Sequence, residues 1–501
     1  MDTWSLLLDG FSIALQPELL LYSLAGAFLG TVVGVLPGIG PAGAVALLLP
    51  VMSVLDPIGA VIMLAATYTG SMYGGSTTSI LLRIPGDPSS VVACIDGHEM
   101  AKQGRAGTAL CIAAIGSYIA GTIAVGGLML IGPVIADAAL AFGSPEYFAL
   151  YVFGLCAVAS LAGKSIVKAL MAMCFGLMIA TIGEDIMGAR RFTFGSEYMW
   201  DGIEFLAVGL GLFAVSEVII NARLMRRNEL GEVIQHRIYI KFKEVAEAIG
   251  SIFRGGIIGF LVGVLPGAGA GVATFIAYSI ERQISRHPER FGHGEIKGLA
   301  GPEAANNAAS AGAFVPMLAL GIPGSSTTAI MLGAFLMLGI QPGPLLFIER
   351  PDVVWGLIAA LYIGNVMLLI LNVPLIGIFV RILYMPMHVL LVSIVIFAII
   401  GTFLDSGLTL TLLFLVAFGV IGYYMRRYDF PLAPIILGVV LGPRMETAFR
   451  QSMSMSRGNL HTFLDHPIVV TFLILSIVFL FLPVLMRMRG ATPQRLVEDD
   501  D

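Results

Sequence analysis

Long apolar stretches alternate with short polar segments along most of this chain of 501 residues. A helix that spans a bilayer needs about 20 consecutive, mostly apolar residues. Stretches long enough to span or half-span lie near residues 18–36, 41–66, 108–135, 147–162, 166–182, 203–220, 256–279, 313–338, 353–379, 388–404, 408–424 and 467–486. The pattern predicts an all-α polytopic membrane protein with roughly 11–12 transmembrane helices in a lipid bilayer.

The composition supports this fold class and excludes several others. Charged residues make up 12% of the chain, against about 25% in soluble domains, and the mean hydropathy is +0.91. These values exclude a secreted disulfide scaffold, a disordered chain and a basic nucleic-acid binder. The cysteines stand singly, without the spacing of a metal or redox site, so neither a metal nor a cofactor is predicted; they are Cys94, Cys111, Cys156 and Cys174.

Basic residues predict the orientation in the membrane. No Lys or Arg occurs before Arg83, whereas the hydrophilic stretch 221–254 carries seven of them. Three more arginines follow the last apolar stretch. Because cytoplasmic loops are enriched in Lys and Arg, the central stretch and the C-terminus are predicted to be cytoplasmic and the N-terminus to be outside.

Two motifs recur in the same order along the chain. Residues 30–40 (GTVVGVLPGIG) return as 259–269 (GFLVGVLPGAG), an offset of 263 − 34 = 229. Residues 76–80 (STTSI) return as 326–330 (STTAI), an offset of 326 − 76 = 250. The sequence therefore predicts a duplication with an insertion of about 21 residues in the second copy, assigned to the polar segment 281–301.

The duplication divides the chain into four predicted segments. They are a first membrane half at 1–220, a basic cytoplasmic linker at 221–254, a second membrane half at 255–466, and an extra helix with a cytoplasmic tail at 467–501. Apolar residues at helical spacing between 245 and 253 predict a short interfacial amphipathic helix in the linker. An outside N-terminus and a cytoplasmic linker require an odd number of crossings in the first half, so the two halves are predicted to have inverted topology.

Proline and glycine predict broken helices or re-entrant hairpins in both copies. Proline lacks a backbone donor and glycine permits unusual backbone angles, so non-helical backbone at membrane depth must be covered by protein or line a polar cavity. Helix N-termini in such breaks attract carboxylates, and carbonyl and hydroxyl oxygens suit a sodium ion. The predicted substrate-binding residues are Gly38, Gly40, Ser76, Thr77, Thr78, Gly267, Gly269, Ser325, Ser326, Thr327 and Thr328. The alternative is that these small residues only tighten helix packing.

Polar residues within apolar stretches form a second group of candidates. Glu303, Asn306 and Asn307 lie at helical spacing just before the second break, and Asn365 lies seven residues before Asn372 in an apolar stretch. We predict that Glu303, Asn306, Asn307 and Asn365 bind ions or orient the hairpin, with helix capping and packing as the alternative.

These motifs resemble the large membrane subunit of the tripartite tricarboxylate transporter family, the TctA type. The resemblance extends from residue 30 to residue 443 and is carried by GTVVGVLPGIGP, YGGSTTSILLRIPGD, DGHEMAKQGRAGTAL, GVLPGAGAG, GPEAANNAASAGAFVPMLALGIPGSSTTAIMLGAF, GIQPGP, YIGNVMLLILNVPL and FPLAPIILGVVLGP. The family pattern commonly reads Asn-Ile-Pro-Gly-Glu where this chain has Arg83-Ile84-Pro85-Gly86-Asp87.

The resemblance implies a function and two partners. A periplasmic solute-binding protein delivers a small organic carboxylate, citrate-like by family default, to this subunit and a small four-helix membrane subunit. A sodium or proton gradient drives import across the bacterial inner membrane, and the chain is not an enzyme. Two alternatives remain: a stand-alone permease or channel without a binding protein, and an intramembrane enzyme, for which no nucleophile with a base in reach is found.

The distribution of breaks also predicts a mechanism. Non-helical backbone is concentrated in two matching regions, whereas 353–424 and 467–486 have the pattern of ordinary packed helices. We therefore predict that a domain carrying both hairpins moves against a static scaffold, as in an elevator. Rocking of the two halves around a fixed site is the alternative.

Overall fold

The computed structural model describes residues 3–36, 38–52, 54–161, 165–185, 187–225, 242–382 and 387–488. Up to residue 225 the α-helices are α1 (Thr3–Ala14), α2 (Pro17–Gly34), α3 (Gly40–Met52), α4 (Pro57–Leu82), α5 (Ala93–Met100), α6 (Ala106–Ala139), α7 (Ser144–Leu161), α8 (Ile166–Ala180), α9 (Phe205–Leu210) and α10 (Ser216–Met225). Two short strands, β1 (Gly183–Glu184) and β2 (Arg190–Arg191), pair antiparallel between α8 and α9.

The second part of the chain continues as helices. They are α11 (Phe242–Gly263), α12 (Gly269–Ile284), α13 (Ile296–Gly312), α14 (Phe314–Leu320), α15 (Ser326–Met337), α16 (Leu346–Glu349), α17 (Pro351–Asn372), α18 (Ile376–Ile382), α19 (Met387–Ser406), α20 (Thr409–Arg427), α21 (Ala433–Met455), α22 (Thr462–Asp465) and α23 (Pro467–Met488). Short π-helical turns at Ala101–Arg105 and Gly211–Val215 and 3-10 turns at Glu197–Met199 and Pro288–Arg290 complete the helical segments of the described residues.

The chain is an all-α polytopic membrane protein, as the hydrophobic pattern predicts. Among the described residues, seven helical segments are long and apolar enough to span a bilayer: Pro17–Gly34, Ala93–Ala139, Ser144–Leu161, Phe205–Arg223, Lys243–Gly263, Pro351–Asn372 and Thr409–Arg427. Five shorter apolar helices, such as Gly40–Met52 and Ser326–Met337, accompany them. Eleven or twelve crossings therefore require most of these shorter helices to span as well, and that number stays a prediction.

The chain forms two compact units. The first unit comprises Met1–Leu140, Leu206–Leu265 and Gly269–Tyr423, so it takes residues from both predicted halves. The second unit comprises Ala141–Phe205, Pro266–Ala268 and Tyr424–Asp501. The division into four segments along the chain stays a prediction, and residues 226–241 of the linker and 489–501 of the tail lie outside the described residues. Residues 245–253 are helical and belong to the long helix α11, so the helix predicted there continues to Gly263; its interfacial position stays a prediction.

In the first unit, two helix pairs pack so closely that the backbone of one helix contacts the backbone of the other. On α2, a Cβ added to Gly26, Gly30 or Gly34 would lie 2.3 Å from the carbonyl oxygens of Met63, Thr67 and Ser71 of α4. On α11, a Cβ added to Gly255, Gly259 or Gly263 would lie 2.1, 2.3 and 2.4 Å from the carbonyl oxygens of Gly301, Ala305 and Ala309 of α13. Only glycine allows this approach, so the two pairs repeat one packing arrangement.

The matched contacts correct the predicted length of the insertion. Glycines of α2 and α11 are 229 positions apart, whereas their contacts on α4 and α13 are 305 − 67 = 238 positions apart. The second copy is therefore longer by 238 − 229 = 9 residues between these contacts, and the prediction of about 21 is wrong. Both copies also end this helical segment in the left-handed conformation at equivalent positions, Arg83 (φ 57) and Gly321 (φ 69).

Asp96 of α5 fixes the segment that precedes α13. Its Oδ1 accepts hydrogen bonds from the backbone N–H groups of Gly292, Gly294 and Glu295 at 2.9, 2.9 and 2.8 Å. Its Oδ2 accepts a hydrogen bond of 3.0 Å from the Tyr278 hydroxyl. Since the Asp96 side chain is fully buried, this carboxyl group joins α5, α12 and the start of α13 within the first unit.

The second unit contains a charged network beside the short strands. Arg191 donates two hydrogen bonds to the Glu446 carboxylate, at 2.9 and 3.0 Å. Arg450 bridges Glu446 at 2.8 Å and Asp185 at 2.9 Å. The hydrogen bonds and charge of Arg191 lower the pKa of Glu446, because they stabilise its ionised form.

Candidate functional site

A buried carboxyl group lies between α4 and α13 in the first unit. Oε2 of Glu303 accepts a hydrogen bond of 2.5 Å from the Ser76 hydroxyl. The two residues are 1% and 3% exposed. Among the described residues, Glu303 forms no ion pair with Lys, Arg or His. An unpaired buried carboxyl group is rare in structural cores, so this pair marks a candidate functional site.

A small cavity adjoins this pair. Its volume is about 10 Å³, close to what one water molecule requires. Its polar lining comes from α4, α6, α13 and the end of α17, namely Tyr73, Ser76, Thr77, Ser117, Glu303 and Asn372. Leu110 and Ile80 are among the apolar residues that close it.

Several polar groups near the cavity have no hydrogen-bond partner. Within the described part of the chain these include the Tyr73 hydroxyl and Oδ1 of Asn372, which belong to lining residues. Asn306 is fully buried, and neither of its amide atoms has a partner. By contrast, Nδ2 of Asn307 donates to the Ser117 hydroxyl at 2.6 Å. Of the predicted asparagines, Asn307 therefore orients a residue of the cavity wall.

The second candidate feature is the start of α15. Ser325 caps this helix: its hydroxyl accepts from the Thr328 N–H at 3.2 Å, and its own N–H donates to the Thr328 hydroxyl at 2.8 Å. The hydroxyls of Tyr68 and Ser325 lie 3.3 Å apart, which joins α4 to this helix start. Thr327 is buried and Ser326 is half-buried. The predicted break before Ser325 is therefore present, with the helix N-terminus facing α4.

The first copy contains an equivalent turn at Asp87. The Asp87 N–H donates to the Ser90 hydroxyl, and the Ser90 N–H donates to the Asp87 carboxylate, both at 3.2 Å. Asp87 and Ser90 precede Ser325 and Thr328 by 238 positions, the same offset as in the helix packing. Ser89 also donates to Asp87, at 2.5 Å. The equivalent of Ser326–Thr328 is therefore 88–90.

This equivalence corrects the predicted pairing of the two Ser-Thr-Thr motifs. Ser76, Thr77 and Thr78 lie inside α4 and not at a helix break. The Thr77 and Thr78 hydroxyls donate to carbonyl oxygens of their own helix, at 3.3 and 3.0 Å. The reason is chemical: Ser and Thr can bond to the preceding turn of a helix as readily as they cap one. Ser76 alone also bonds across to α13.

The predicted breaks at the Pro-Gly motifs are present. Gly38 and Gly267 have φ angles of 85° and 80°, and Gly40 and Gly269 both have 62°. These left-handed conformations favour glycine, which explains the motif. A Cβ on Gly40 would lie 3.3 Å from that of Asp87, so the first glycine turn lies against the Asp87 turn.

A family model matches residues 20–437 of the chain, and its description is tripartite tricarboxylate transporter TctA family. The match covers most of the chain and includes both glycine turns, the Glu303 site and both capped turns. The chain belongs to the TctA family. TctA proteins form a transporter family and not an enzyme family, and they work with TctB and TctC partners in a tripartite system.

Two relatives of this TctA protein come from Agrobacterium vitis. One, named uncharacterized 52.8 kDa protein in TAR-I ttuC' 3'region, is 42% identical over 501 residues, which cover all of both chains. The other, named uncharacterized protein in TAR-II ttuC' 3'region, is 43% identical over 242 residues, which cover 48% of this chain and all of the relative. No solved structure is significantly similar to this TctA protein.

Asn365 lies apart from the polar lining of the cavity in this TctA protein. It faces α6 at Gly121, where an added Cβ would be 3.1 Å from its amide atoms. Asn372, the last residue of the same helix α17, lines the cavity instead. The sequence pattern does not predict four of the residues at these sites, namely Tyr73, Asp87, Ser89 and Ser90. The repeated Ile-Pro-Gly at 84–86 and 322–324 is the signal that identifies the Asp87 turn.

Proposed function

We propose that this TctA protein is the permease subunit of a binding-protein-dependent secondary transporter that imports a small di- or tricarboxylate, citrate-like in chemistry. Membership of the TctA family over residues 20–437 carries the proposal. Its partners are a periplasmic solute-binding protein and a small four-helix membrane subunit. A sodium or proton gradient across the bacterial inner membrane drives import, with the N-terminus periplasmic and the C-terminus cytoplasmic.

The capped helix start at Ser325 supports a carboxylate site. The first N–H groups of a helix lack partners within the helix and attract anions. Ser326 and Thr327 add hydroxyl donors there, and Ser326 is half-buried. We assign the substrate to the glycine turn at 38–40 and the helix start at 325–328, which both belong to the first unit. Gly267, Gly269, Ser76, Thr77 and Thr78 stay predicted substrate-binding residues.

An elevator movement of a domain that carries both helix breaks remains part of this proposal. The helix pairs α2–α4 and α11–α13, with Asp87 and Ser325, belong to the first unit, which supports joint movement of the two copies. In this mechanism the two copies have inverted topology in the membrane. Rocking of two halves around a site of fixed depth is the alternative, and structures of both open states distinguish the two by the depth of Ser325.

The test is uptake of labelled citrate, a tricarboxylate, and of labelled dicarboxylates into proteoliposomes that contain this chain and its small subunit. Uptake should require the binding protein and an inward sodium or proton gradient. Thr327→Val removes a hydroxyl while keeping the side-chain shape, and should lower the apparent substrate affinity at least tenfold. Ser393→Ala is the control, because this half-buried hydroxyl donates to Val389 of its own helix α19. Gradient-driven uptake without the binding protein would instead support a stand-alone permease.

A further inference from the structure

The polar groups around the Glu303 cavity are not explained by packing alone. The Tyr73 hydroxyl and Oδ1 of Asn372 are buried in residues that are 4% and 2% exposed, and neither has a hydrogen-bond partner. Buried polar groups in native proteins are almost always paired, so an unpaired one indicates a missing water, ion or ligand. Two such groups lining one cavity indicate an occupant.

The chemistry of the lining selects the class of occupant. The polar lining of the cavity contains six oxygen-bearing side chains. They are the Glu303 carboxylate, the hydroxyls of Ser76, Thr77 and Ser117, the Tyr73 phenol and the Asn372 amide. Oxygen ligands are the preference of hard cations, whereas His and Cys select softer metals. Glu303 is the only carboxylate in this lining, and one negative charge balances a monovalent cation better than a divalent one.

The size of the cavity excludes the organic substrate. A volume of about 10 Å³ accommodates a water molecule or a single dehydrated ion, and a di- or tricarboxylate is many times larger. The transported anion is therefore assigned to the helix start at 325–328 described above and not to this cavity.

We infer that Glu303, Ser76, Tyr73 and Asn372 form a binding site for one alkali-metal cation, Na⁺, and that this ion is the coupling cation. The inference rests on the proposed function only for the coupling role. The cation neutralises Glu303 and joins α4, α13 and α17. Both α4 and α13 lead directly toward capped turns, α4 to Asp87 and α13 through α14 to Ser325. In this proposal, ion binding at Glu303 orders the Asp87 turn and the helix start at Ser325, and the latter receives the substrate.

The site is tested by binding of ²²Na⁺ to the purified full-length chain with its small subunit, without organic substrate. Wild type should bind ²²Na⁺, and an excess of choline should not displace it. Glu303→Gln keeps the side-chain shape and removes the charge, so it should weaken binding at least tenfold. Tyr73→Phe should weaken it several-fold, and Tyr362→Phe on α17, outside the cavity, should leave it unchanged.

A second set of variants keeps the test decisive if Glu303→Gln fails to fold. Tyr73→Phe and Asn372→Ser are small changes that remove one proposed ligand each, and thermal melts establish that they fold. Wild-type ²²Na⁺ binding that these folded variants leave unchanged would overturn the site. So would wild type that transports carboxylate with a proton gradient and binds no ²²Na⁺. Sodium binding by a wild-type chain that transports no carboxylate with its partners would instead refute the proposed function and leave the site standing.

Discussion

Replacement of Asp96 is the most direct test of how the first unit holds α13 in place. Three backbone N–H groups and the Tyr278 hydroxyl donate to this buried carboxylate. In Asp96→Asn, the amide oxygen still accepts from the three N–H groups, and the Tyr278 hydroxyl turns to accept from the new NH₂ group. The hydrogen bonds therefore remain, but they lose the charge of their acceptor.

The size of the effect follows from the number of these bonds. A hydrogen bond to a charged group contributes about 1.5–3 kcal/mol, and a neutral one about 0.5–1.5 kcal/mol. The loss of charge on three N–H···O bonds therefore costs about 3 kcal/mol, or roughly a hundredfold in the local opening equilibrium at 1.4 kcal/mol per tenfold. Asp96→Ala should cost more, because it leaves the three N–H groups and the Tyr278 hydroxyl without this acceptor.

Hydrogen–deuterium exchange measures this local opening. We expect the peptide that contains residues 290–296 to lose about two orders of magnitude of protection in Asp96→Asn. Glu99→Gln is the control, because this residue pairs with Lys102 on a partly exposed helix face and such pairs contribute about 0–1 kcal/mol. Unchanged protection in Asp96→Asn would refute the assignment of Asp96 as the anchor of α13.

Three further predictions concern packing, pH and topology. Gly30→Ala and Gly259→Ala should each destabilise the chain by about 1–3 kcal/mol, measured by thermal unfolding, whereas Gly377→Ala should not, because nothing lies within 4 Å of a Cβ there. Arg191 lowers the pKa of Glu446, so the stabilisation from this pair is complete above the usual pKa of Glu, about 4.3, and is lost as the pH falls through the lowered value. In thermal melts recorded at decreasing pH, the melting temperature of Glu446→Gln should therefore fall less below this range than that of the wild type. Single cysteines at positions 2 and 240 should react with an impermeant thiol reagent from opposite sides of the membrane, and labelling from the same side would contradict the inverted topology.

The sequence located the glycine turns because their backbone requires a particular residue. A left-handed φ at Gly38, Gly40, Gly267 and Gly269 favours glycine, so the conformation leaves a visible pattern in the chain. Serine and threonine impose no such requirement, since their hydroxyls bond equally well to a helix carbonyl or to a helix N-terminus. The match between the two Ser-Thr-Thr motifs therefore wrongly treated a helix interior at 76–78 as equivalent to a helix start at 326–328.

The ligands of the cavity show a second limit of sequence reasoning. Glu303 was selected because a carboxyl group within apolar sequence is conspicuous. Tyr73 and Asn372 are 299 residues apart in the chain (372 − 73) and line the same cavity only because their helices pack together. A tyrosine side chain has an apolar ring and a polar hydroxyl, so nothing in the local sequence of Tyr73 distinguishes a ligand from a residue that only packs.

The glycine contacts between α2 and α4 limit how these helices can move. Three backbone contacts at successive helical turns fix the axial register, because a shift by one residue would bring a Cβ against a carbonyl oxygen. The two helices of each pair, α2–α4 and α11–α13, then cannot slide against each other and move as one rigid body. A conformational change of the first unit that keeps these contacts would then have to occur outside the two helix pairs, for example at the turn after α2, where Gly38 and Gly40 have left-handed backbone angles.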